Sequence, residues 1–150
     1  MREIKFRAWV REEDNEYSHM VYSARSISTI LSHILEVGRQ TGFSDCDSRP
    51  HPERYVLMQY TGYKDRNERE VYEGDIYAME EYRHGEKTVT YWAVIWDETE
   101  YGFSLVANIE KSYMGEKYRE DVYLPLRAID GNRMEYAGNI YENPELVSWM

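Results

Sequence analysis

Six segments of this chain, all after residue 54, have the composition of β-strands, and they constrain the fold more than any other feature. Each is a short run rich in tyrosine, tryptophan or β-branched residues, which fit a pleated, half-buried surface. Glycine, asparagine, aspartate or charged clusters separate the runs, as turns do. The segments are 55–60, 71–79, 88–96, 101–107, 121–126 and 134–141. Short strands at this regular spacing predict a sandwich or a small barrel rather than βαβ units.

The start of the chain predicts a β-hairpin. Residues 3–9 alternate between apolar and charged side chains, which is typical of a strand with one buried face. The charged segment 11–16 predicts a turn, and 17–23 can return as the partner strand. At the other end of the chain, Asn143 and Pro144 predict a turn that terminates the last strand.

After the predicted hairpin, between residues 26 and 38, the spacing of the apolar residues changes from every second residue to the three and four of a helix. Ser26 is a suitable N-cap, and Gly38 or Gly42 a suitable C-terminal stop. The apolar residues, at spacings of three and four, are Ile27, Ile30, Leu31, Ile34, Leu35 and Val37. We expect this helix to pack on the sheet, although a partner protein can use the same apolar stripe. The polar loop 41–54 follows, so we expect one domain: hairpin, helix and loop in 1–54, and the β-barrel with the C-terminal strand in 55–150.

Charge and cysteine content narrow the class of protein. The chain carries 28 acidic and 18 basic residues, a net charge of −10 that is concentrated in its second half. Such a balance disfavours nucleic acid, whose phosphates repel an acidic surface. The single cysteine excludes an internal disulfide and a cysteine zinc site. No apolar run approaches the ~20 residues of a membrane helix, so we expect a soluble, cytoplasmic protein.

The stretch 60–77, YTGYKDRNEREVYEGDIY, raises the question of a phosphate-binding loop. Such a loop needs clustered glycines and a following helix N-terminus. Here one glycine precedes a charged loop and a strand, so the pattern favours a turn. The residues that we expect to shape that turn are Gly62, Asp65, Gly74 and Asp75.

Four blocks of the sequence resemble the YopX family, which are small proteins of phages and prophages in Gram-positive bacteria. They occur in the family's order and are MREIKFRAW at 1–9, LMQYTGYKD at 57–65, VYEGDIY at 71–77 and GNIYENPEL at 138–146. The resemblance implies an SH3-like β-barrel with the N-terminal strand and the helix packed beside it. The resemblance implies no reaction.

Two groups of residues have the types needed for catalysis or metal binding. Glu73 and Asp75 are two apart on one predicted strand and so point to one face, where they can form a metal or acid–base pair, or only cap a turn. The second group is Asp45, Cys46, Asp47 and His51. Its spacing matches neither a zinc nor a calcium pattern, and the two aspartates disfavour a cysteine thiolate. We therefore predict no catalytic residue, cofactor or metal.

One basic and aromatic patch can bind single-stranded nucleic acid by stacking and phosphate neutralisation. Its residues are Arg2, Lys5, Arg7 and Trp9. One group of acidic residues flanks two strands that can form a hairpin. This acidic surface can bind a basic groove of a host protein, or it can be only the solvated end of the hairpin. Its residues are Glu80, Glu81, Glu86, Asp97, Glu98 and Glu100.

The sequence best fits a non-enzymatic phage accessory protein that binds another protein, or itself, through its aromatic barrel face and exposed strand edges. A nucleic-acid-binding module and an enzyme with a dispersed carboxylate site are the two alternatives.

Overall fold

The computed structural model describes residues 3–11, 18–24, 32, 55–83 and 85–150. The chain divides into two compact units, Met1–Gly62 and Tyr63–Met150. Each unit has its own strands and its own cluster of buried apolar side chains.

The first unit contains three antiparallel strands in the order β2-β1-β3. They are β1 (Phe6–Val10), β2 (His19–Ala24) and most of β3 (Tyr55–Lys64). The predicted N-terminal hairpin is therefore present. Ala8, Val10 and Val21 form its buried cluster, and the alternation of the sequence explains which face they share.

The boundary between the two units follows Gly62, eight residues beyond the boundary predicted at residue 54. Strand β3 was assigned to the barrel, but it pairs along its first half with β1, from Phe6 opposite Gln59 to Val10 opposite Tyr55. Pairing with β1 therefore places most of β3 in the first unit.

The second unit is built on a five-stranded antiparallel sheet in the order β8-β7-β6-β5-β9. Before this sheet, the chain turns from the end of β3 into the short β4 (Glu70–Tyr72). The sheet strands are β5 (Asp75–Arg83), β6 (Glu86–Asp97), β7 (Gly102–Tyr113), β8 (Glu116–Pro125) and β9 (Glu135–Asn139). The short helix α1 (Ala128–Gly131) precedes β9, and a 3-10 helix (Pro144–Val147) follows it.

Alternation along the strands gives this sheet two buried clusters, one on each face. The larger cluster contains Val71, Tyr77, Trp92, Val94, Leu105, Ala107, Ala128, Ile129 and Met134. The smaller contains Ile76, Ala93, Val106 and Val147. Because Val147 belongs to the C-terminal 3-10 helix, this helix covers the second face at the centre of the sheet.

The last strand ends as Asn143 and Pro144 predict, in a turn that side chains stabilise. The side-chain oxygen of Asn139 accepts hydrogen bonds from the backbone N–H groups of Tyr141 and Glu142, both at 3.0 Å. Gly138 has a φ of 144°, and a Cβ at this position would lie 2.0 Å from the side-chain oxygen of Asn143. Only glycine permits both this backbone angle and this close approach.

The mainly β fold with curled sheets is confirmed. One detail was wrong: the run 71–79 is two strands, because the chain turns at Glu73 and Gly74 between β4 and β5. The other runs after residue 54 contain strands, most of them longer than predicted. The helix predicted over 26–37 lies outside the described residues except for Ser32, which is helical.

A candidate interaction cleft between two hairpins

Strand β6 is the centre of the candidate site because its two ends differ. The end toward Glu86 pairs with β5 alone, in an unbroken register from Ile76 opposite Ala93 to Arg83 opposite Glu86. The other end pairs with β7, but only from Ala93 opposite Val106 to Asp97 opposite Gly102. Beyond Ala93 the β5–β6 hairpin and the β7–β8 hairpin separate.

A cleft of about 460 Å³ lies where the two hairpins separate. Its lining residues are Glu81, Thr88, Val89, Thr90, Tyr91, Asn108, Ile109, Glu110, Arg119, Leu146 and Trp149. The register of β6 and β7 would place Tyr91 opposite Asn108, Thr90 opposite Ile109 and Val89 opposite Glu110 if the ladder continued. The cleft is therefore a gap in the sheet, and it opens at these three positions, one pair beyond the position where Trp92 would face Ala107.

The residues that line the cleft come from both faces of the sheet, as expected for a gap between two strands. Val89 and Tyr91 share a face with buried Ala93, whereas Thr88 and Thr90 share the face of Trp92. A depression on one face would use residues of one parity only. The C-terminal Leu146 and Trp149 contribute apolar surface to the lining.

The polar groups of the cleft form a charge-paired wall on the β7–β8 side. Lys117 Nζ lies 2.8 Å from Glu110 Oε1, and this hydrogen bond lowers the pKa of Glu110 and raises that of Lys117. Arg119 donates to the side-chain oxygen of Asn108 at 3.4 Å, and the Asn108 amide donates to Asp121 at 2.8 Å. These contacts are exposed, so water and salt screen them.

Apolar side chains are exposed at the far ends of both hairpins. Tyr82 lies near the β5–β6 turn, and Tyr113, Met114 and Tyr118 lie at the β7–β8 turn, where Met114 is 88% exposed. Tyrosine and methionine are enriched in protein interfaces. The cleft and these tips therefore form one candidate contact region.

The six residues of the predicted acidic surface lie toward the two ends of β6 and do not form a single row. Glu80, Glu81 and Glu86 lie on the β5–β6 hairpin. Asp97, Glu98 and Glu100 lie at the β6–β7 turn. A strand of 12 residues separates these ends by roughly 35 Å, since each residue advances the chain about 3.3 Å.

The two acidic groups also have different roles. One Asp97 carboxylate oxygen accepts hydrogen bonds from the hydroxyl of Thr99 at 2.6 Å and its N–H at 2.9 Å. The hydroxyl bond is the main cause that lowers the pKa of Asp97, so this residue shapes its turn. Glu81 lines the cleft, while Glu80 forms an ion pair with Lys87 at 2.6 Å.

The predicted nucleic-acid patch is not an exposed basic surface. Arg7 is 1% exposed, and its Nε donates to the sulfur of Met58 at 3.4 Å. The Lys5 side chain is 16% exposed, lies 3.1 Å from Glu3 and stands 5.5 Å from the centre of the Tyr60 ring. Trp9 is half-buried, and Arg2 lies outside the described residues. Buried and paired cations cannot neutralise phosphates.

Of the four predicted turn residues, Asp65 and Gly74 lie in turns, whereas Gly62 and Asp75 lie in strands. Asp65 caps the β3–β4 turn, where one carboxylate oxygen accepts from the N–H groups of Asn67 at 2.9 Å and Arg69 at 3.0 Å. Gly62 lies within β3, with a φ of 85°. Gly74, with a φ of 80°, forms the turn before β5.

Glu73 and Asp75 do not share a strand face, so the expectation that their spacing points both side chains to one face is wrong. Glu73 lies in the turn before β5, and Asp75 is fully buried at the start of that strand. An Asp75 carboxylate oxygen accepts the backbone N–H of Tyr72 at 2.8 Å. Its burial and this bond give Asp75 a structural role.

Two tyrosine–aspartate hydrogen bonds, one buried and one partly buried, form with residues of the end of β3 and of the β3–β4 turn, and the sequence did not reveal them. Tyr77 donates to Asp65 at 3.2 Å and Tyr63 to Asp130 at 2.5 Å. The second bond is the main cause that raises the pKa of Tyr63 to about 12. Burial is the main cause that raises the pKa of Tyr77. Both hydroxyls are thus held neutral and act as hydrogen-bond donors.

The described residues contain no group of three or more histidine, cysteine, aspartate or glutamate side chains that could hold a metal ion. The group Asp45, Cys46, Asp47 and His51 lies outside these residues. Across the same part of the chain, no helix is both long enough and apolar enough to span a membrane.

The gap between β6 and β7 was not predicted from the sequence, and neither was the length of β7. The charged run after Ala107 suggested the end of a strand, yet β7 continues to Tyr113 because β8 pairs with it. The alternation of apolar and polar residues does not show which strand lies at each edge of a given strand. A gap between two strands therefore cannot be predicted from it.

Comparisons with known proteins identify relatives of this chain. The family model described as YopX protein matches residues 5–148. No curated protein matches. Among solved structures, the crystal structure of protein EF1440 from Enterococcus faecalis is 19% identical, with a TM-score of 0.44 and coverage of 96% of this chain and 97% of that one.

Proposed function

The chain belongs to the YopX family, and on that premise we propose that it is a non-enzymatic phage accessory protein, a module that binds another protein in the cytoplasm of a bacterial host. The observation that carries the proposal is the gap between the β5–β6 and β7–β8 hairpins. A sheet that opens in this way leaves strand edges and apolar side chains available to a partner.

The carboxylates of the second unit support a binding role over a catalytic one. Asp65 and Asp97 cap turns, and a carboxylate oxygen of Asp75 accepts a backbone N–H. In the cleft, Glu110 is ion-paired with Lys117. A general acid or base needs an accessible group that changes its protonation during the reaction, whereas these groups maintain fixed geometry.

Charge also favours a protein partner over nucleic acid. The second unit, residues 63–150, has 19 acidic and 10 basic residues. Its surface therefore repels phosphates and attracts cationic groups.

The test is a tagged pull-down from host lysate, with and without nuclease, using the full chain. We expect a protein that survives nuclease and is lost with Val89→Arg, which places a long charged side chain in the cleft. The matched control is Tyr123→Arg, since Tyr123 is exposed on the same sheet face but does not line the cleft.

Three outcomes contradict the proposal. Recovery that disappears with nuclease would indicate nucleic acid. Equal loss with both arginine variants would place the contact outside the cleft. A blank, with light scattering that shows a monomer, would contradict binding to a host protein and to itself.

A further inference from the structure

We propose that the cleft binds one extended, basic segment of a partner protein, which enters the sheet as an additional strand between β6 and β7. The inference rests on the proposed function and names the kind of partner that the cleft fits. It depends on where the backbone groups of the two strands point, on the shape of the cleft and on charge.

The backbone groups of alternate residues in a strand point to opposite edges. Gly74, which precedes β5, donates its N–H to the carbonyl of Val94 at 2.8 Å, so the even-numbered residues of β6 face β5. The register agrees, because a two-residue turn between Arg83 and Glu86 makes that pair a hydrogen-bonded one. The N–H and C=O groups of Val89 and Tyr91 therefore point into the gap.

The backbone groups of β7 alternate in the same way. Its turn into β8 has two central residues, Met114 and Gly115, with φ angles of 51° and 85°, which identify a type I′ hairpin. Tyr113 and Glu116 are then a hydrogen-bonded pair, so the odd-numbered residues of β7 face β8. The backbone groups of Asn108 and Glu110 consequently point into the gap from the opposite side.

Among the residues described for the second unit, no strand pairs with these two edges beyond Ala93 and Val106. A single inserted strand can bond to both edges at once. Side chains of that strand would alternate between the two faces, and each face offers apolar contact. Ile109 lies on one face, while Tyr91 and the C-terminal Trp149 lie on the other.

Charge selects a basic occupant. The described lysines of the two hairpins are each paired with a glutamate: Lys87 with Glu80, Lys111 with Glu120 and Lys117 with Glu110. By sequence, the two hairpins, residues 75–97 and 102–125, carry nine acidic and five basic residues, so negative charge is in excess on them. Arg119 lines the cleft, but it donates to Asn108. A strand carrying lysine or arginine therefore gains electrostatic attraction, and an acidic strand is repelled.

The test is selection from a displayed library of random linear peptides of about twelve residues, enough for one strand, against the full chain. We expect enriched peptides to be basic, with apolar residues at alternate positions. A synthetic copy of the best peptide should bind less tightly as salt rises, because exposed charges are screened.

One variant removes a backbone donor from the gap. Val89→Pro should weaken binding of the synthetic peptide by about tenfold or more, since proline lacks the N–H that points into the gap. Val89→Ala, which keeps that N–H, should bind within about threefold of wild type. Thermal unfolding checks that both variants fold, because proline is tolerated where the lost N–H does not face a partner strand.

Hydrogen exchange of the unsubstituted chain gives an independent measurement if Val89→Pro does not fold. The peptide should slow exchange at Val89, Tyr91, Asn108 and Glu110. Exchange at Thr90 and Ile109 should change little, because these amides already bond to β5 and β8. Slowing at both sets, or at neither, would overturn strand insertion.

Other results also separate this inference from the proposed function. No enrichment, enrichment of acidic or helical peptides, or dimerisation through the same edges would each overturn it. If the pull-down still finds a protein that Val89→Arg releases, the interaction module stands and its partner presents a folded surface instead. If the pull-down also fails, both proposals fail.

Discussion

The two halves of β6 belong to one strand, yet they have opposite environments. From Ala93 to Asp97, the closed half, the strand is paired with β7, Ala93 is also paired with β5, and the side chains of Ala93, Val94 and Asp97 are buried. From Glu86 to Thr90 it is paired with β5 alone, and most side chains are exposed. The closed half shows how the fold is held together, and the open half shows where a ligand can add to it.

Two of the blocks that carry the family resemblance, 71–77 and 138–146, contact each other, and Gly74 of the first donates its N–H to Val94 in the closed half. Gly74 accepts the N–H of Ile140 at 2.9 Å, and Asp75 pairs with Asn139 across β5 and β9. Asp65 accepts the hydroxyl of Tyr77. The blocks 57–65, 71–77 and 138–146 therefore support one another in the frame of the second unit, whereas the cleft lies mainly on the two hairpins.

The largest expected effect separates the core from the open half. Trp92 lies between the two halves and is 2% exposed. Trp92→Ala should lower the free energy of unfolding by about 3–5 kcal/mol, because it removes buried apolar surface and leaves a cavity. Val89→Ala, at a position 39% exposed, should change it by less than about 0.5 kcal/mol. Urea unfolding measures both, and equal losses would show that the halves do not differ in stability.

A second comparison is between buried Trp92 and Trp96, which lies in the same strand but is partly exposed. It is 45% exposed and packs edge-to-face on Phe103, with ring centres 5.2 Å apart. Trp96→Ala should therefore cost about 0.5–1.5 kcal/mol, the range of an aromatic pair. A loss as large as that of Trp92→Ala would mean that Trp96 is part of the core.

The next effect tests how far the second unit depends on the β3–β4 turn. Asp65→Ala removes the acceptor of two backbone N–H groups and of the Tyr77 hydroxyl. Leaving these donors without a partner should cost about 1–3 kcal/mol in urea unfolding. Asp65→Asn, which keeps an acceptor oxygen, should cost less, and the opposite order would contradict this role.

A smaller, progressive effect should appear at alkaline pH. The pKa of Tyr63 is raised to about 12 and that of Tyr77 is also raised, so the folded state favours neutral tyrosine. Their contribution to stability is complete below the unfolded pKa of 10 and is lost as pH rises through the folded values. Urea unfolding between pH 8 and pH 11.5 should show this decrease, and Tyr63→Phe should reduce its slope. A slope unchanged by Tyr63→Phe would exclude the Asp130 contact as the cause.

The smallest effect concerns the ion pairs of the open half. Lys111 and Glu120 face each other on exposed strands β7 and β8, and surface ion pairs contribute little because water and salt screen them. Lys111→Gln should leave the melting temperature within about 1 °C of wild type, as small stability changes shift it by only a few degrees. A large loss would mean that the β7–β8 hairpin needs this pair to remain folded.

Much of the frame could be predicted from the sequence. Alternation identified the strands, and Asp65, Gly74, Asn143 and Pro144 indicated their turns, since these signals act between residues close in the chain. The carboxylate pair of Glu73 and Asp75 could not be excluded in this way, because Gly74 bends the chain between them. The basic patch failed for a similar reason, since nothing local indicates that Arg7 is buried.

By itself, then, the sequence determined the family, the mainly β fold and the acidic balance of the second half. Only the tertiary structure decided that β6 pairs with β7 along less than half its length, and that a cleft opens beyond Ala93. The physical reason is that strand pairing is a contact between residues distant in the chain. Local periodicity fixes which face a side chain lies on, and it leaves open what, if anything, bonds to each edge.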